Sequence, residues 1–117
     1  MNRTIRTGLR VLAGAGVAAA LATPAAAQKT VTVVGKEFKF EPSTVELEAG
    51  ETLVIKFKNQ GALSHNLTFK KLDADTGTIQ TDGTETIRVQ PEPGTYTFVC
   101  TVPGHEAAGM TGTLKVQ

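Results

Sequence analysis

Cysteine, histidine and tryptophan are scarce in this chain: one Cys, two His and no Trp among 117 residues, with two Met of which one is Met1. A lone Cys excludes an intrachain disulfide framework. Charge of one sign is lacking too. Twelve Lys plus Arg stand against 11 Asp plus Glu, a net +1 with no basic stripe, and neutralising a phosphate backbone needs such a stripe, so nucleic acid is excluded as a partner. The length allows one small domain.

What is present begins with a leader. Arg3, Arg6 and Arg10 precede a stretch, Val11 to Gln28, that holds no charge. Its apolar centre, Val11 to Leu21, is too short to span a bilayer, and Ala25-Ala26-Ala27 supplies the small residues that a signal peptidase needs. Residues 1–27 therefore read as a signal peptide cut after Ala27, and residues 28–117 as the working domain. No adjacent Arg pair marks a twin-arginine route, and the Cys at position 100 is far from the processed end, which excludes a lipid anchor there. The expected product is a soluble, monomeric periplasmic protein with no membrane anchor. Its loss of three Arg leaves nine basic against 11 acidic side chains, a charge of about −2 by the same count.

Beyond residue 28 the apolar residues recur with period two: Val31 and Val33, Val45 and Leu47, Leu53, Ile55 and Phe57, Leu67 and Phe69, Ile87 and Val89, Tyr96 and Phe98, Leu114 and Val116. That is the alternation of half-buried strands. Turn residues separate the runs at Glu48-Ala49-Gly50, Asn59-Gln60-Gly61, Asp82-Gly83, Pro91-Glu92-Pro93-Gly94 and Pro103-Gly104. The pattern predicts an all-β domain of seven or eight short strands in two packed sheets. Lys71 to Gly83 reads as a loop with a short strand at Thr78 to Gln80. Within it, Asp73-Ala74-Asp75-Thr76-Gly77 has the look of half a calcium loop but lacks the remaining oxygen ligands, so it is taken as a turn.

The scarce residues are clustered. Cys100, His105 and Met110 fall within eleven positions, and His65 opens an earlier predicted strand. Period two sets His65 on one face with Leu67 and Phe69, and Cys100 with Tyr96 and Phe98, so both point inward at strand ends. Five residue steps from Cys100 to His105 could span about 17 Å, so shared ligation requires the chain to double back, and Pro103-Gly104 is turn chemistry suited to it. Two imidazoles, a thiolate and a weak thioether suit a mononuclear copper ion that cycles between Cu(I) and Cu(II). A free thiol in an oxidising compartment invites damage unless something holds it. Taken singly, each of these residues is more often core filler or a structural His; it is their joint arrangement that points to a metal.

Here the sequence resembles the cupredoxins, the small blue copper proteins that include plastocyanin, azurin, rusticyanin and auracyanin, and the resemblance implies their all-β, two-sheet Greek-key β-sandwich. The likeness spans nearly all of residues 28–117 and is carried by Ser64-His65-Asn66, the run Pro93 to Cys100, the Pro103-Gly104-His105 turn, and Gly109-Met110-Thr111-Gly112-Thr113-Leu114-Lys115-Val116. The resemblance implies that His65, Cys100 and His105 are in-plane ligands of one copper ion per chain and Met110 the long axial ligand. It also implies that Asn66 ties the two ligand loops together, and that His105 is the electron port, reached through an apolar patch drawn from Ala62, Leu63, Val102, Pro103, Ala107 and Ala108. Four residues separate Cys100 from His105 and four separate His105 from Met110, which is similar to the longer loops of rusticyanin and auracyanin. The implied role is a one-electron carrier between redox proteins, such as a cytochrome or a membrane redox complex. Copper delivery or storage is the alternative, and a Cys-His nucleophilic enzyme a third reading, disfavoured because no general base or substrate pocket is indicated.

Overall fold

The computed structural model describes residues 27–117. All but Ala27 of the proposed signal peptide lies outside the described residues. Among the described residues nine strands form: β1 (Gln28–Lys36), β2 (Lys39–Glu41), β3 (Thr44–Leu47), β4 (Thr52–Asn59), β5 (Thr68–Phe69), β6 (Ala74–Asp75), β7 (Thr84–Val89), β8 (Gly94–Val99) and β9 (Thr111–Val116), with one 3₁₀ turn at Lys70–Leu72 between β5 and β6. They build a four-stranded sheet in the order β2-β1-β4-β7 and a five-stranded sheet in the order β3-β9-β8-β5-β6.

Both sheets are mixed. After the β1–β2 hairpin the chain crosses to the second sheet for β3, which runs parallel to β9, then returns as β4, which lies parallel to β1 over eight paired positions. The remaining strand pairs in the two sheets are antiparallel. Period two places Leu53, Ile55 and Phe57 of β4 inside, with Lys56 and Lys58 outside, and the facing sheet contributes Phe98, Leu114 and Val116. Four phenylalanines cross the core in contact: Phe57 to Phe40 at 5.8 Å, Phe40 to Phe98 at 5.1 Å, and Phe98 to Phe69 at 5.3 Å between ring centroids. Tilted and edge-on pairs such as these add to the burial of their area.

The count exceeds the expected seven or eight strands because β5 and β6 are two-residue pieces. The expected strand at Thr78–Gln80 is reduced to a single bridge, in which His65 and Ile79 exchange backbone hydrogen bonds at 3.1 and 2.9 Å. His65 likewise precedes β5 and does not belong to it. The chain here satisfies its backbone through side chains: Leu67 N–H donates to Thr76 Oγ1 at 3.0 Å and Thr76 N–H to the Leu67 carbonyl at 3.0 Å. Such local bonding competes with a regular ladder. Among the described residues, no helix is long and apolar enough to cross a membrane.

Candidate metal centre

Two loops at one end of the sandwich meet at the scarce residues. The first runs from β4 to His65. Asn59, fully buried, donates from Nδ2 to the carbonyls of Leu63 (2.9 Å) and Ile79 (3.0 Å) and accepts the Gly61 N–H at Oδ1 (2.9 Å). One side chain thus folds the loop that delivers His65. The second loop, between β8 and β9, is a run of turns. His105 N–H donates to the Val102 carbonyl, Met110 N–H to the His105 carbonyl, and Cys100 N–H to the Met110 carbonyl, at 3.0 to 3.1 Å. Gly104 and Gly109 take φ of +84° and +110°, which a side chain would strain. The reversal expected at Pro103-Gly104 is therefore present.

These loops bring His65, Cys100 and His105 together, all buried, with one donor atom from each lying within 4.8 Å of the others. His65 Nδ1 is 3.1 Å from His105 Nδ1, and Cys100 Sγ is 3.9 Å from His65 Nδ1 and 3.6 Å from His105 Nδ1. Donors bonded to one first-row ion at about 2.0–2.3 Å, as nitrogen and sulfur are to zinc, stand at such separations. His65 and Cys100 are 0 % exposed and His105 7 %. Met110 is also fully buried and packs in the same core cluster as Cys100. A side chain at Gly35 would meet Phe57 at 2.6 Å and the Met110 methyl at 3.4 Å, so the glycine in β1 makes room for both.

Asn66 joins the loops. Its Oδ1 accepts the Thr101 N–H at 2.9 Å, its Nδ2 donates to Thr101 Oγ1 (2.9 Å) and Thr78 Oγ1 (3.0 Å), and its backbone N–H points at Cys100 Sγ at 3.5 Å. Polar atoms this well satisfied fix the sulfur and the first His in place.

Two neighbours escaped the sequence reading. Glu37 and Phe38 form the two-residue turn between β1 and β2. Glu37 Oε1 lies 3.1 Å from His65 Nε2, and the Phe38 ring meets the His105 ring edge-on, 5.1 Å between centroids and 89° between planes. The N–H groups of Leu63 and Ala62, and then His65, hold the Glu37 carboxyl below its ordinary range. In the sequence Glu37 is one of five early glutamates and Phe38 one apolar residue in a polar turn; the only local cue was that Phe38 breaks the polarity expected of such a turn. Of the residues expected to form the apolar patch at His105, Ala62, Leu63, Pro103, Ala107 and Ala108 are exposed and Val102 half-buried. Among the described residues, Phe38 (39 %) and Leu63 (46 %) are the exposed large hydrophobics.

A thiol, two imidazoles and a nearby thioether form a set that suits neither a structural zinc site, which wants four strong ligands, nor a calcium site, which wants oxygens. They fit copper, for which His₂Cys with a weak thioether is the electron-transfer arrangement. The fold and the donor set thus define a small β-sandwich protein with a copper-type centre at one end. A model of the cupredoxin-like domain matches residues 9–114. Auracyanin-A of Chloroflexus aurantiacus is 31 % identical over 102 residues, covering 61 % of this chain and 63 % of that protein. Plastocyanin of the fern Dryopteris crassirhizoma is 30 % identical over 95 residues, covering 68 % of this chain and 89 % of that one. In structure the chain is similar to dithionite-reduced auracyanin of Roseiflexus castenholzii, with a TM-score of 0.68 at 26 % identity over 78 % of this chain and 98 % of that one. The chain belongs to the cupredoxin-like family. It spans a little under two thirds of the length of auracyanin-A.

Proposed function

We propose that this protein is a periplasmic one-electron carrier that holds one copper ion through His65, Cys100, His105 and Met110. The observation that carries the reading is the convergence of the three buried donors from two loops. Copper, when bound, supplies a Cu(I)/Cu(II) couple at a site whose soft sulfur and borderline nitrogen donors tolerate both states. The residues do the rest. Asn66, Thr101 and the chained turns from Cys100 to Met110 hold the donors rigid, so little rearrangement accompanies a change of charge.

His105, the least buried of the donors, acts as the port. Phe38, Leu63, Pro103, Ala107 and Ala108 surround that end with exposed apolar surface, which suits brief docking of a cytochrome or a membrane redox complex. That a relative is known in a dithionite-reduced form supports a redox role. Export through a signal peptide cut after Ala27 delivers an unfolded chain, and copper enters after translocation.

Copper delivery or storage calls for exchangeable, exposed Met or His; burial of His65, Cys100 and Met110 favours retention. Burial of Cys100 likewise disfavours a nucleophilic enzyme, in which substrate must reach the sulfur. Stopped-flow mixing of the copper-loaded protein with reduced cytochromes tests the reading. Rapid second-order oxidation of a cytochrome, with bleaching of the visible band, is expected; no exchange with any redox protein while copper passes readily to a chelating acceptor would overturn it in favour of delivery.

A further inference from the structure

Glu37 stands where the ligand roles alone assign it no task. His65 is fully buried, and its two ring nitrogens face opposite ways: Nδ1 towards Cys100 and His105, Nε2 towards Glu37 Oε1 at 3.1 Å. The same oxygen accepts the Leu63 N–H at 3.0 Å, so it is oriented as an acceptor and held from the His65 loop itself. Gly61 closes the arrangement. A Cβ there would lie 2.3 Å from Glu37 Oε1 and 2.7 Å from His65 Nε2, so the carboxylate and the imidazole meet in space that only a glycine leaves open. Thr81 donates its hydroxyl to the Gly61 carbonyl.

A neutral imidazole carries one proton, and the nitrogen that bears it is set by the bond the other ring atom makes. An acceptor at Nε2 keeps the proton there and leaves the Nδ1 lone pair facing the site. We propose that Glu37 is a positioning residue for the metal centre: its carboxylate fixes the tautomer and ring angle of His65 and strengthens it as a donor. Carboxylate partners of metal-bound imidazoles act in this way and shift metal affinity about 10- to 100-fold. The inference rests on the copper reading for its second half only, since the grip on His65 exists without metal.

The test has a metal-free arm and a copper arm. In metal-free protein the His65 Nε2–H gives a slowly exchanging proton resonance; in Glu37→Ala its exchange quickens at least about tenfold, while Glu37→Gln, whose amide oxygen still accepts, keeps it slow. In the copper arm Cu(II) affinity falls about 10- to 100-fold in Glu37→Ala and less in Glu37→Gln; the reduction potential rises in both, since each removes the negative charge near Cu(II), and rises more in Glu37→Ala, which also loses the acceptor that holds His65. Gly61→Ala lowers affinity in the wild type and has a smaller effect in the Glu37→Ala background, where the clash with the carboxylate is gone and only that with His65 Nε2 remains. An unchanged Nε2–H resonance in Glu37→Ala, or equal affinity losses for Ala and Gln, overturns the proposal. Should the wild type hold no copper while the resonance responds as described, the copper reading fails and the grip of Glu37 on His65 stands.

Discussion

Phe38 reaches from the β1–β2 turn to lie edge-on against His105, 67 positions later in the chain, at 5.1 Å between ring centroids. It does so with a φ of +61°, a conformation that costs a bulky residue on the order of 1–3 kcal/mol and is kept where the surroundings require it. An apolar ring, 39 % exposed, over the proposed electron port gives a reason for the strain. Phe38→Gly should therefore keep or raise thermal stability while slowing electron exchange with a partner by about tenfold, the equivalent of about 1.4 kcal/mol. Denaturant melts and stopped-flow rates on one preparation check this; an unaltered rate would remove Phe38 from the docking surface.

Cys100→Ser should abolish the intense thiolate-to-copper absorption, because a hydroxyl supplies no comparable charge-transfer donor. Cys100 is the one Cys in the chain, so a variant that keeps the band would refute the sulfur's role outright.

Met110→Leu should retain copper and raise the reduction potential, because loss of a donor destabilises Cu(II) more than Cu(I). Leu is close in volume to Met, so stability should fall by less than about 1.5 kcal/mol. Voltammetry reads the potential, and a value equal to the wild type's would argue against axial ligation.

Gly112 of β9 backs directly on Phe98 of β8: a Cβ there would stand 2.2 Å from the ring. The two residues are register partners. Gly112→Ala should destabilise the fold by about 1–3 kcal/mol, seen as a melting point lower by roughly 4–8 °C per kcal/mol in a domain of this size. A wild-type melting point would show that β9 shifts freely.

Lys39 and Lys36 hold the Glu41 carboxyl below its ordinary range, through contacts at 3.1 and 3.2 Å. A folded-state value depressed below the unfolded one contributes stability above the unfolded value of about 4.3, and loses it as pH falls through the lower folded value. Urea melts from neutral to acid pH should show that loss, smaller in Glu41→Gln and smaller again in high salt, since exposed pairs are screened. A variant with the same acid limb as the wild type would contradict it.

The sandwich was legible because period two survives in every long strand, from Val31 and Val33 to Leu114 and Val116. The centre was legible because its chemistry is rare: the chain's one Cys and two His meet in it, and the one Met beyond position 1 is buried in the same core cluster as the Cys. What stayed hidden was long-range. Nothing near position 37 says that a carboxylate will meet an imidazole 28 residues on, nor that Phe38 will leave the core for His105. The segment from Lys71 to Gly83 misled in the other direction, because hydroxyl side chains there, Thr76 and Thr78 above all, take up the Leu67 N–H and the Asn66 amide where a strand would otherwise supply partners.

Optical and electron paramagnetic resonance spectra of the purified protein, titrated with Cu(II), bear most directly on the centre. One equivalent should produce an intense visible band and a paramagnetic signal of a copper–thiolate site, both lost on reduction and regained on reoxidation. A protein that stays colourless with excess Cu(II), or shows only the signal of copper bound through nitrogen and oxygen, would contradict the assignment of His65, Cys100, His105 and Met110.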